Sequence, residues 1–155
     1  MLDPLADKLK VIRATAQAED VDKQLWLEDV KKLYASVEKE FLAEESQSNA
    51  MKFVSQPVQL TDGELGTYWI NQLLIELQPG PAFILVPRGM NIVGSVGVKT
   101  RRALRGRVDL VNFADRRSVS FYRRFDRTWM FPSLQRPDGV DLTRATFREE
   151  LAKLL

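Results

Sequence analysis

The chain contains neither cysteine nor histidine in its 155 residues. Without cysteine there is no disulfide, no thiolate nucleophile and no Cys-ligated zinc or iron–sulfur centre. Without histidine the commonest general base and the commonest transition-metal ligand are missing. No Ser-His or Cys-His pair can form within one chain. Long apolar runs are also lacking: the longest is Ala82 to Val86, far short of the roughly 18 residues a membrane span needs. Met1-Leu2-Asp3-Pro4 carries no basic stretch leading into an apolar one, so no signal peptide is read. A cytoplasmic protein without cofactor, metal or membrane contact is expected.

The residues present are those of an ordinary globular domain, 45% hydrophobic and 28% charged. A single domain spanning 1–155 is expected. At this length about 70% of the surface of the unfolded chain can be buried, enough for a core without staples.

Charge is unevenly placed. Residues 1–50 hold seven cations, mostly Lys, against eleven carboxylates, a net of −4. Residues 88–127 hold eleven cations, mostly Arg, against Asp109, Asp115 and Asp126, a net of +8.

Residues 1–45 read as a helical segment. Asp3 can cap it and Pro4 suits its first turn. Apolar residues recur at Leu5, Leu9, Ile12 and Ala16, then at Trp26, Val30, Leu33 and Val37. The same register places Glu19 and Lys23 on the stripe. Two helices turning near Asp20–Asp22 are favoured over one, because a helix of about 40 residues is rare in so small a domain.

After the polar linker Ser46–Asn49 the period shortens toward two, so residues 50–155 should hold a sheet and a C-terminal helix. Strands are expected near 52–60, 66–77, 82–86, 92–98, 107–113, 118–125 and 128–132. In the second, Trp69, Leu73, Ile75 and Leu77 should share one face. Ala82–Val86, apolar on both faces, should be central. A basic loop should span Lys99–Gly106, an irregular one Pro132–Asp141. The last helix should run over 144–154, capped by Thr143. The short connections favour antiparallel neighbours. The fold class is therefore α+β, with helical segments, a mostly antiparallel sheet of six or seven strands, and a closing helix.

Three features could carry function. The first is the helical stripe. Leu5, Leu9, Ile12, Trp26, Val30, Leu33 and Val37 make a core face or a self-association seam, and one sheet need not cover all of it. The second is the Arg-rich region 99–127. Lys99, Arg101, Arg102, Arg105, Arg107, Arg116 and Arg117, with Phe121, Tyr122 and Phe125 nearby, have the composition of a nucleic-acid or polyanion surface. The same arginines could instead pair with the acidic helices. The third is a set of carboxylates, Glu64, Glu76, Asp109 and Asp126, which could hold Mg²⁺ in an enzyme. Their spacing matches no known motif, and Asp109 is expected to pair across the sheet with an arginine such as Arg123. The three tryptophans, Trp26, Trp69 and Trp129, read as core. The expected function is a non-catalytic interaction module that self-associates through its N-terminal helices, acting as a homo-oligomer or with a partner protein. Polyanion binding and a carboxylate-dependent enzyme are the alternatives.

Overall fold

A computed structural model of the chain describes residues 3–90 and 104–155. Helix α1 runs unbroken from Pro4 to Ser36. The Asp3 carboxylate accepts from the amides of Leu5 and Ala6 at 3.1 and 3.3 Å, satisfying donors that have no partner inside the helix. The break expected near Asp20–Asp22 does not occur. No Gly or Pro interrupts the segment. Glu19 and Lys23 are only half-buried, and the Lys23 ammonium lies over the Tyr68 ring, 6.0 Å from its centroid, so the stripe can turn polar without fully burying a charge. A π-helical turn, Val37–Phe41, extends α1 and leads into the short α2, Ala43–Gln47.

Seven strands follow: β1 (Met51–Thr61), β2 (Thr67–Leu77), β3 (Ala82–Gly89), β4 (Leu104–Asn112), β5 (Ser118–Arg124), β6 (Trp129–Phe131) and β7 (Val140–Asp141). They form one sheet in chain order, each antiparallel to the next. Helix α3, Arg144–Leu154, closes the chain. Thr143 and Thr146 cap its start reciprocally: the Thr143 hydroxyl accepts from the Thr146 amide, and the Thr146 hydroxyl from the Thr143 amide. The α+β class and the antiparallel sheet match the expectation.

Several boundaries do not. The Ile92–Val98 segment and the first part of the basic stretch, with Lys99, Arg101 and Arg102, lie outside the described residues. Leu104–Gly106, expected in a loop, instead begins β4. The loop before α3 contains β7, too short to leave a period in the sequence.

The second half of α1, the π-helical turn and α3 pack one face of the sheet into a continuous core. Trp26, Val37, Ile75, Phe83, Leu85, Val108, Leu110, Phe121 and Phe147 are fully buried there. Phe147 stacks against Phe41 and meets Phe121 edge-on, with ring centroids 5.4 and 6.5 Å apart. Strand β3 lies inside the sheet, between β2 and β4, with Phe83 and Leu85 fully buried, but the middle and more buried strand is β4.

Strand β2 departs from simple alternation. Leu73 and Ile75 point into the core as expected, but farther toward the β1–β2 turn Tyr68 and Ile70 are the buried pair. The pairing of β1 with β2 is continuous there, without a bulge. Strand β3, however, pairs only with Leu73–Glu76. The rest of β2 belongs to a two-stranded ribbon, which twists more strongly than a wide sheet and turns its other face toward α1. Trp69, expected in the core, is consequently 62% exposed.

Candidate interaction surface

The stripe on α1 divides into two parts with different fates. From Trp26 onward it is gripped. The indole of Trp26 lies over the backbone of Gly106: a Cβ added to that glycine would come within 2.4 Å of the ring, so only glycine allows the approach. The Trp26 Nε1–H donates to the Tyr68 hydroxyl at 3.0 Å, and that hydroxyl donates to Asp62 at 2.7 Å. Asp62 in turn accepts from the Met90 amide at 2.8 Å. Burial, and then the hydrogen bond to Asp62, pushes the Tyr68 phenol above its ordinary value. One turn further along, Asp29 accepts from Arg123 at 2.7 Å and from Arg127 at 2.7 and 2.8 Å. Burial alone would raise the Asp29 carboxyl. The hydrogen bonds from Arg127 and Arg123, and their charge, outweigh it and hold the group below the usual carboxylate range. Tyr34 donates to the Asn71 carbonyl at 2.7 Å, and burial pushes its phenol up.

Trp26, Val30, Leu33 and Val37 are thus committed to the chain's own core. As members of a self-association seam they are corrected: their side chains have no surface to offer a partner.

The first part is largely exposed, meeting the sheet only near its end, where the Lys23 ammonium lies over the Tyr68 ring. Leu5, Leu9, Val11, Ile12 and Val21 keep between 45% and 67% of their surface exposed. At 100° per residue, Leu5, Leu9, Ile12 and Ala16 continue the sheet-facing stripe. Val11, Ala14, Ala18 and Val21 line the opposite, outer face, again with spacings of three and four. Residues 4–25 span about 33 Å of helix with apolar side chains on two faces, more than an isolated surface helix presents. That second stripe was legible in the sequence, but its alanines hide beside the larger residues of the first. Beside the root of this segment a groove of about 430 Å³ opens between α1 and β2, lined in part by Leu27, Lys31, Tyr34 and Trp69.

The described arginines of the Arg-rich region are largely paired. On the face away from the main core, Asp109 accepts from Arg88 at 2.9 Å and from Arg107 at 2.8 and 3.0 Å. Burial would raise the Asp109 carboxyl, but the hydrogen bonds from Arg107, Ser120 and Arg88 hold it low. Arg123, the expected partner of Asp109, reaches Asp29 instead, because its side chain leaves β5 on the helix-bearing face. Arg117 binds Asp115 at 2.7 Å and the carbonyls of Lys153 and Leu154 at the end of α3. Arg124 binds Asp141 at 2.7 Å. Two cations stack on exposed rings: Arg105 lies 5.3 Å from the centroid of Phe125, and Arg116 lies 4.7 Å from that of Phe113. The acidic helices also take up arginines of α3, through Glu44–Arg144 and Glu45–Arg148.

Of the candidate carboxylates, Glu76 and Asp109 do not come together. Glu76 stands opposite Ala82 on β3, and Asp109 opposite Val86, so they are offset along the sheet with β3 between them. Among the described residues no cluster of acidic side chains could hold a metal ion, no helix is long and apolar enough to cross a membrane, and no buried side-chain polar atom lacks a partner. Set against protein-family models, curated proteins and solved structures, the chain matches none.

Proposed function

We propose that this protein is a non-catalytic interaction module that self-associates through the N-terminal half of α1. The observation that carries the reading is the projecting segment itself. Residues 4–22 of the helix are mostly exposed, with Leu5, Leu9, Val11, Ile12 and Val21 among them. Most helical stability in proteins comes from packing an amphipathic face rather than from propensity, and covering the apolar residues of this stretch with a partner offsets the cost of holding it ordered. The paired state of Asp29, Asp109 and most of their arginines fits structural roles better than catalytic ones.

Light scattering on the full chain at high micromolar concentration tests this. A mass above the monomer is expected, and deleting residues 1–18 should reduce it. A clean monomer would defeat the reading. Polyanion binding is the second reading, favoured by the Arg105–Phe125 and Arg116–Phe113 stacks at the surface. It predicts a gel shift at low salt that weakens steeply as salt rises.

A further inference from the structure

We infer that the partner of the projecting segment is the same segment of a second copy, paired antiparallel through the outer face of α1. This rests on reading α1 as the self-association element, and it adds the face and the register.

The outer stripe is self-complementary in one antiparallel register. With a two-fold axis at the level of Ala16, Val11 meets the partner's Val21 and Ala14 meets the partner's Ala18. Symmetry repeats both contacts, giving four apolar layers. The two central layers hold only alanine, so the backbones can approach closely and trap little void. Each flank then matches itself. On one side Lys8 faces the partner's Asp22, twice, with Thr15 against its own mate between them. On the other Lys10 faces the partner's Gln24, with Gln17 against its own mate. No like charges meet. Run parallel in register, the segment would bring both sheets to the same end of the contact and would separate Lys8 from the partner's Asp22.

The outer face is also the open one. Val11 and Val21 are 65% and 58% exposed, and the core residues Trp26, Val30 and Val37 lie about 100° or more around the helix from the centre of this stripe. Two copies can therefore overlap along residues 7–25 with their sheets at opposite ends. The contact is isologous, as expected of a closed dimer. The inward stripe, Leu5, Leu9 and Ile12, plays no part in this contact.

The absence of cysteine makes the register directly readable. Single cysteines are placed in the full chain and treated with a short bis-maleimide. Gln17→Cys should cross-link to itself. Lys10→Cys alone should not, but mixed with Gln24→Cys it should. Cross-linking of Lys10→Cys to itself would overturn the antiparallel register. Light scattering separates the faces. Ala18→Glu should abolish the dimer while Leu9→Glu leaves it, and both positions are exposed, so neither change should unfold the chain. A dimer broken by Leu9→Glu but not by Ala18→Glu would overturn this inference and leave self-association standing. A monomeric parent would defeat both. Lys8→Glu should weaken the dimer roughly tenfold, since two pairs each become repulsive. Adding Asp22→Lys to it should restore the affinity. Failure of that rescue would count against the register even if a dimer persists.

Discussion

The two halves of α1 share one helix, one apolar stripe and one set of spacings, yet they are held in opposite ways. Past Trp26 the helix is fixed to the sheet at nearly every turn, by an indole over a glycine backbone, a buried ion triad and a tyrosine bonded to a strand carbonyl. Before it, the side chains of the same stripe face solvent. An amphipathic pattern therefore says that a face will be covered, not by what. The gripped half is covered within the chain. The projecting half has a mirror-ready sequence on its outer side and a chain-continuing stripe on its inner side.

The comparison breaks if substitutions in the two halves cost the same. Trp26→Ala should produce the largest loss, about 3–5 kcal/mol in denaturant unfolding, because it empties a fully buried site. Asp29→Ala should come next, at about 3 kcal/mol, because it leaves the buried guanidinium of Arg123 without its counter-charge. The same carboxylate sharpens the comparison through pH. Asp29 and Asp109 both titrate lower in the folded chain than in the unfolded one. Their stabilisation is complete above the unfolded value of about 3.9 and is lost as pH falls through the lower folded values. Asp29→Asn should therefore flatten the fall in stability below about pH 4, seen by circular dichroism across an acid titration. Gly106→Ala should cost about 1–3 kcal/mol, since the new methyl would overlap the Trp26 ring; a neutral result would mean that the indole can move away. Leu9→Ala, in the projecting half, should change unfolding of the dilute monomer by no more than about 0.5 kcal/mol. A loss comparable to that of Trp26→Ala would show that the projecting half is also packed within the chain.

Much of the fold was written locally. Asp3-Pro4 announced the start of α1, Thr143 the start of α3, and the shortened period with turn residues marked six of the strands. The misses have physical causes. Joining the helix through Asp20–Asp22 required knowing that this stretch stays largely exposed, where a polar residue on the stripe costs little. Alternation places Trp69 in the core because it assumes a flat ribbon, and a two-stranded ribbon twists. Gly106 looked like a loop residue until the indole of Trp26 was placed against it. Of the candidate seam, Leu5, Leu9 and Ile12 were legible as apolar, but their exposure was not. Among the arginines, the pairing of Arg123 and Arg127 with Asp29 joins residues more than ninety positions apart, a distance over which no spacing rule operates.

Composition, caps and periodicity by themselves determined the α+β class, both helix starts and the exclusion of thiol and imidazole chemistry, because these depend on residue identity and on neighbours within a few positions. Tertiary structure alone decided which half of the α1 stripe is core and which is surface, and which carboxylate each arginine meets. Those outcomes depend on where the sheet ends relative to the helix and on which face of a twisted strand a side chain leaves, and no local pattern encodes either.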